Sequence, residues 1–213
     1  MKRRIVCFGD SNTWGLNAEK NERFQEDIRW TSLLGQFLGE EFDVVEEGLS
    51  GRTTIVDDPL FEGRKGLDYL HPCLLSHSPL ELVIIMLGTN DTKERIHLSS
   101  INIAQGITKL AVLAKNTPVN KDNTFPKVLV IAPPPIGAKY YTTQLGKTFG
   151  KNCDIKSEEF PVYLEEFSKE NGFEFLDTKG IVHMHDYDYI HLNEEGHHKL
   201  AELVYEKVKG ILQ

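Results

Sequence analysis

A serine stands directly after an apolar run near the start of the chain, in the segment FGDSNTWG. In a parallel sheet, functional loops follow the carboxyl ends of the strands, and Ser11 stands at such an end. The flanking Gly9 lets the backbone bend there without a side-chain clash. A serine hydroxyl becomes a nucleophile when an adjacent base removes its proton. We therefore predict Ser11 as a nucleophile, the alternative being a serine that only caps the next helix.

Histidine and aspartate recur near the C-terminus, in the segment HDYDYIHLNEEGHH. Asp188 stands three residues before His191, just ahead of a segment with helical spacing. An aspartate this close can bind the ring through Nδ1–H and leave Nε2 to take a proton from serine. The pattern predicts His191 as the base and Asp188 as the acid that orients it. The competing residues are Asp186 as the acid and His183, His185, His197 and His198 as the base.

Donors for a developing negative charge follow two further apolar runs, in EEGLSGRTT and MLGTNDT. The Asn90 amide keeps its charge state at every pH, and no side chain shields the backbone N–H of a glycine such as Gly48 or Gly51. Such donors form an oxyanion hole if they lie beside the nucleophile. Asparagine and glycine are also ordinary turn residues, so their role depends on that proximity.

Five apolar, β-branched runs of strand length separate these motifs. They cover residues 4–8, 43–46, 82–87, 127–132 and 173–176. Most are apolar on successive residues, which is typical of strands that are covered on both faces. Apolar residues with helical spacing lie between the runs, from Trp30, Ile103 and Phe160 onward, and Asn193 can cap a final helix. The pattern predicts an α/β protein, a three-layer α/β/α sandwich around a five-stranded parallel sheet in flavodoxin-like order, as one domain over residues 1–213.

Composition excludes several classes of function. The formal net charge is -8, which gives no basic surface for nucleic acid. No apolar run approaches the length of about 20 residues that spans a bilayer, and no secretion signal is visible. The three cysteines are widely spaced, which suits a reducing compartment. We expect a soluble cytoplasmic protein, without nucleic-acid or membrane partners.

Together these motifs resemble the SGNH (GDSL) hydrolases, and within them the small bacterial arylesterases and acyltransferases. The phrases GDSNTWG, EEGLSGRTT, LELVIIMLGTNDT and APPP carry the resemblance, which extends over essentially the whole chain. It implies that Ser11 attacks an ester carbonyl, and that the oxyanion hole consists of the N–H of Ser11, the Asn90 amide and the N–H of Gly51. Gly48 is the alternative to Gly51.

The resemblance implies an esterase that hydrolyses or transfers short acyl groups of small esters and assembles as a homo-oligomer. We expect neither metal nor cofactor, because the histidines form no His-x-x-x-His or Cys/His set and the chain has no GxGxxG or Walker loop. Substrate-binding candidates are Trp14, Asn12, which stands where the name-giving motif has leucine, and Arg52. Arg52 either binds a carboxylate or pairs with Asp57 or Asp58. Segments 51–69 and 133–157 are the expected pocket walls. Two alternatives remain: a carbohydrate O-deacetylase of the same family, and a catalytically idle module that binds a small ligand.

Overall fold

A computed structural model describes residues 2–212 and contains a five-stranded parallel sheet between helical layers. Met1 and Gln213, the ends of the predicted domain, lie outside the described residues. The strands are β1 (Arg3–Gly9), the short pair β2 (Leu16–Asn17) and β3 (Glu22–Arg23), then β4 (Phe42–Gly48), β5 (Leu82–Met86), β6 (Lys127–Ala132) and β7 (Glu174–Asp177). All five predicted strands of the main sheet are confirmed; β2 and β3 form a separate antiparallel ribbon.

The sheet has the order β4-β1-β5-β6-β7, so β1 lies between β4 and β5. Gly9, the last residue of β1, is in register with Gly48 and Met86. The loops that follow these three strands therefore begin side by side at one edge of the sheet. This is the flavodoxin-like order that the sequence predicts, and it brings the first three motifs to one crevice.

The helices are α1 (Ser11–Trp14), α2 (Trp30–Leu38), α3 (Gly66–Ser76), α4 (Ser100–Lys115), α5 (Gln144–Phe149), α6 (Cys153–Asn171) and α7 (Glu194–Leu212). Helical spacing predicts α2, α4, α6 and α7, and the predicted cap is present because Asn193 Oδ1 accepts the N–H of Gly196 at 2.9 Å. The sequence does not predict α3, which begins inside a segment expected to be irregular and contains Pro72.

Strand β1 is buried on both faces. Ile5 and Cys7 pack on the side of α2 and α7, whereas Val6 and Phe8 pack on the side of α3, α4 and α6. Full burial of an Ile or Phe side chain stabilises the fold by about 1.5–3 kcal/mol. Burial on both faces therefore fixes β1, and with it the position of the turn at its end.

Candidate active site

Ser11 occupies the first position of α1, immediately beyond β1. The carboxylate of Asp10 caps this short helix by accepting the N–H of Asn12 at 3.0 Å. A Cβ atom at Gly9 would lie 2.0 Å from Thr13 Oγ1 and 2.9 Å from the carbonyl oxygen of Met86, so only glycine permits this close turn. The turn places the serine hydroxyl at the edge of the sheet where the other motifs begin.

The structure brings Ser11, His191 and Asp188 together. Ser11 Oγ lies 2.9 Å from His191 Nε2, and His191 Nδ1 lies 2.6 Å from Asp188 Oδ2. The second carboxylate oxygen of Asp188 accepts the backbone N–H groups of Ile190 and His191, each at 2.9 Å. The residues are 6 %, 6 % and 3 % exposed, respectively. This chain of hydrogen bonds matches the geometry in which a histidine deprotonates a serine.

Electrostatics favours the ionised form of Asp188. Burial acts to raise the pKa of this carboxyl, but the hydrogen bond and positive charge of His191 and the two backbone N–H donors outweigh it and lower the pKa. An ionised carboxylate at this position can accept a hydrogen bond from Nδ1–H of His191. Nε2 then remains free to accept the serine proton.

The competing acid and base candidates lie elsewhere. Asp186 has an 84 % exposed side chain, and His185 faces Glu19 and Asp186. His183 and His198 are exposed. His197 is buried, with Nδ1 accepting the backbone N–H of Trp30 at 3.4 Å, and burial lowers its pKa to about 3. None of these side chains hydrogen-bonds to Ser11 within residues 2–212.

The three expected oxyanion donors follow β1, β4 and β5 at the same edge of the sheet. The backbone N–H groups of Ser11 and Gly51 have no hydrogen-bond acceptor within residues 2–212. Gly51 has a φ of +82°, a left-handed conformation that favours glycine. Asn90 is 4 % exposed, and its Nδ2 lies 3.5 Å from Asp10 Oδ2. Gly48 is part of β4, where a Cβ atom would meet the backbone of Trp14 at 2.1 Å. The choice between Gly51 and Gly48 as an oxyanion donor stays a prediction.

Asp91 ties the loop after β4 to the loop after β5. Its Oδ1 accepts the backbone N–H of Thr54 at 2.9 Å and the Thr54 hydroxyl at 2.5 Å. Burial raises the pKa of Asp91 to about 6, and the neighbouring carboxyl of Asp10 adds to this rise. Asp91 thus fixes the backbone from which Gly51 and Asn90 project, a role that its place in the GTNDT segment does not indicate.

Arg52 does not pair with Asp57 or Asp58, and its binding of a substrate carboxylate stays a prediction. Its buried guanidinium donates to the carbonyl oxygens of Gly9, at 2.8 Å, and Glu47, and lies 4.0 Å from the ring centroid of Phe8. Asp57 pairs with Lys65, and Asp58 with Lys93 and Arg95. Arg52 therefore binds β1 to β4 beneath the site, because carbonyl groups at the strand ends need buried donors.

Asn12 is expected to contact the substrate, but its amide is hydrogen-bonded within the protein. It is 1 % exposed, and both ends of its amide hydrogen-bond to the backbone on either side of His191. Trp14 is partly exposed and packs beneath the guanidinium of Arg23, 5.6 Å from the ring centroid. Trp14 does not line the cavity beside His191. A substrate contact of Trp14 stays a prediction.

A cavity of about 770 Å³ opens beside His191 and Asp188. Its walls come from three segments, at residues 16–21, 142–145 and 186–191. The expected wall 133–157 thus contributes, whereas segment 51–69 does not line this cavity. The ribbon of β2 and β3 supplies the other wall, which sequence reasoning missed because strands of two residues leave no periodic signal.

Within residues 2–212, one cluster brings together side chains of the types that bind metal ions. Glu47, Cys73 and His77 offer ligand atoms within 4.8 Å of one another. His77 Nε2 already hydrogen-bonds to Glu47 at 2.7 Å, and the guanidinium of Arg52 supplies a positive charge beside this carboxylate. The Glu47 carboxylate thus has a hydrogen-bond partner and a positively charged neighbour among the residues of the protein itself. That the reaction needs no metal or cofactor stays a prediction.

Comparison with known proteins identifies the family. Residues 7–199 match the GDSL-like lipase/acylhydrolase family. The chain belongs to this family. A native aryl esterase from M. smegmatis superposes with a TM-score of 0.92 at 37% identity, covering 99% of this chain and 100% of that chain. Est24, a carbohydrate acetylesterase from Sinorhizobium meliloti, superposes with a TM-score of 0.91 at 35% identity and the same coverage.

One relative is more than twice as long as this chain. An acetylxylan esterase from Xylanibacter ruminicola is 24% identical over 97% of this chain, which spans 43% of that longer protein. Family membership confirms the predicted SGNH-type fold and the predicted class, carboxylic ester hydrolase. Within residues 2–212 no helix is long and apolar enough to cross a membrane.

Proposed function

We propose that this GDSL-like acylhydrolase is a serine esterase that cleaves, or transfers, short acyl groups of small esters through an acyl-serine intermediate. Ser11 is the nucleophile, His191 the general base and Asp188 the acid that orients it. The observation that supports this assignment is the continuous series of contacts from Ser11 Oγ to His191 and on to Asp188, at 2.9 Å and 2.6 Å.

The proposed reaction has two halves. The Ser11 hydroxyl adds to the ester carbonyl while His191 Nε2 takes its proton, and the tetrahedral intermediate collapses as His191 returns that proton to the leaving alcohol. Water, or a second alcohol, then attacks the acyl-serine with His191 again as base. The buried Asp188 carboxylate stabilises the imidazolium that forms in each half.

The oxyanion donors in this mechanism are the N–H groups of Ser11 and Gly51 and the Asn90 amide. Replacement of Asn90 by alanine is expected to lower kcat by about 10² to 10³ with a small effect on KM, because the lost donor acts on charge that develops in the transition state. Steady-state hydrolysis of p-nitrophenyl acetate measures this effect. Asn116→Ala, an exposed asparagine at the end of α4, serves as control. Wild-type activity in Asn90→Ala would reject the assignment.

The polar lining of the cavity beside His191 favours a second candidate function, in which the leaving group of the ester is polar. Thr142, Thr143, Gln144 and Asn21 line it together with Glu19 and Asp186. Hydroxyl, amide and carboxylate groups of this kind hydrogen-bond to the hydroxyls of a sugar, and both Est24 and the acetylxylan esterase are named for carbohydrate esters. A carbohydrate O-deacetylase with the same acyl-serine chemistry is therefore the alternative to an aryl esterase.

A panel of esters separates these two activities. We expect activity on p-nitrophenyl esters to fall as the acyl chain grows from acetate to octanoate. If the enzyme is a deacetylase whose polar cavity binds the sugar, it should also hydrolyse acetylated oligosaccharides. Measurement of kcat/KM for phenyl acetate and acetylated xylo-oligosaccharides ranks the acyl donors. The same measurement with added alcohols ranks the acyl acceptors. Turnover of the aryl esters alone would exclude the deacetylase; preference for octanoate would contradict the short-acyl proposal.

We also propose a single domain over residues 1–213 that acts in the cytoplasm as a homo-oligomer, without nucleic acid as partner. Three buried, unpaired cysteines support a reducing compartment. Leu60, Tyr141 and Val162, each about two-thirds exposed, are the kind of apolar surface that subunit contacts cover. Light scattering after size exclusion determines the assembly.

A further inference from the structure

The histidine that acts as base in the proposed function lies on an irregular segment. Residues 178–193, between β7 and α7, form neither helix nor strand. Within this segment, His185 N donates to the carbonyl of His191 at 2.7 Å, and Asp188 binds the N–H groups that follow it. These bonds shape the segment internally, but they do not fix it relative to Ser11.

Asn12 provides that connection. Its Nδ2 donates to the carbonyl oxygen of Ile190 at 3.1 Å, and its Oδ1 accepts the N–H of Leu192 at 3.0 Å. These two bonds bracket His191 on both sides. In the part of the chain that the structure describes, the one other hydrogen bond that joins segment 10–15 to segment 178–193 is the contact of Ser11 with His191 itself.

The chemistry of an amide suits this position. One planar group supplies both a donor and an acceptor, and it does not titrate in the pH range in which the imidazole changes charge. A leucine of similar size would leave the buried N–H of Leu192 and the carbonyl of Ile190 without partners, and such groups are costly when orphaned. Asn12 is 1 % exposed, so water cannot replace it without a rearrangement.

We propose that Asn12 is a positioning residue for this reaction: its side chain clamps the backbone around His191 and holds Nε2 at bonding distance from the Ser11 hydroxyl. The proposal rests on the proposed role of His191. A misplacement of about 1 Å between reacting groups costs about 10² in rate, so the clamp acts on the rate of attack and not on substrate affinity. The asparagine at the name-giving position of the motif thus takes on a function that leucine cannot supply.

The test compares Asn12→Leu with Thr13→Val. Thr13 is the next residue in α1, fully buried, and its hydroxyl has no hydrogen-bond partner, so valine keeps the packing without removing a contact. We expect the second-order rate of labelling by a fluorophosphonate to fall about 10²-fold in Asn12→Leu and to stay within about twofold of wild type in Thr13→Val. In Asn12→Leu, KM for p-nitrophenyl acetate should change far less than kcat, whereas neither constant should change in Thr13→Val.

A proton NMR spectrum separates positioning from a general loss of structure. The low-field resonance of the proton between His191 Nδ1 and Asp188 should be present in wild type and Thr13→Val, and broadened in Asn12→Leu while the amide spectrum stays folded. If Asn12→Leu does not fold, Asn12→Asp, which keeps the acceptor for Leu192 N–H, takes its place. A wild-type labelling rate in a folded Asn12 variant, or an equal loss in Thr13→Val, would overturn the proposal.

The His191→Ala variant distinguishes this inference from the function on which it rests. If His191→Ala does not react and Asn12→Leu labels normally, the clamp is wrong and the esterase mechanism stands. If His191→Ala labels at the wild-type rate, the assigned base itself is wrong.

Discussion

Replacement of Ser11 by alanine is expected to lower kcat for p-nitrophenyl acetate by about 10⁴ to 10⁶. The hydroxyl removed is the one that lies 2.9 Å from His191 Nε2, and no other hydroxyl hydrogen-bonds to this ring within residues 2–212. Alanine at the first position of α1 leaves the Asp10 cap intact, because the cap binds the N–H of Asn12. The protein should therefore fold normally without forming an acyl-enzyme.

A matched control distinguishes loss of the nucleophile from loss of a buried serine. Ser168 lies on α6, is 1 % exposed, and its hydroxyl has no partner. Ser168→Ala should hydrolyse the ester at the wild-type rate. The double variant Ser11→Ala/His191→Ala should be no less active than Ser11→Ala, since residues that act as a unit do not contribute additively. A Ser11→Ala variant that retains a tenth of the activity would contradict the mechanism.

Replacement of Asp188 by asparagine is expected to lower kcat by about 10³ to 10⁴. Asparagine has nearly the same shape and can still accept the N–H groups of Ile190 and His191, so the segment should keep its conformation. The change removes the charge that holds a proton on His191 Nδ1. An amide that donates to Nδ1 would move the ring proton to Nε2. A protonated Nε2 cannot accept the proton of Ser11.

Asp186→Asn provides the comparison for this substitution. Both aspartates precede His191 by a few residues, but the Asp186 side chain is 84 % exposed and reaches His185. Kinetics of ester hydrolysis on both variants should show full activity for Asp186→Asn and a large loss for Asp188→Asn. The reverse result would assign the acid to Asp186 and refute the geometry described above.

The arrangement of the sheet could be predicted because burial leaves a direct mark on sequence. Strands covered on both faces are apolar on successive residues, as at 82–86, and parallel strands bring their carboxyl ends to one edge. Those two facts place Ser11 and Asn90 at one crevice. The spacing of Asp188 and His191 predicts the pairing of the acid with the base, because two residues three positions apart can form a hydrogen bond.

The orientation of individual side chains at the edge of the crevice could not be predicted. Asn12 and Arg52 each follow a motif residue, yet both turn inward, toward backbone groups that lie 178 and 43 positions away in sequence. Which of two adjacent side chains faces the substrate depends on the backbone angles of one turn. Sequence spacing does not contain those angles, so it predicts both residues at the substrate.

Reaction of the native protein with a fluorophosphonate, followed by mass spectrometry of its peptides, tests the central assignment most directly. We expect one phosphonyl group per chain, attached to Ser11, slow labelling in Asp188→Asn and no labelling in Ser11→Ala. A catalytically idle binding module would remain unmodified. An unlabelled wild-type protein, or an adduct on another residue with Ser11 untouched, would contradict the account.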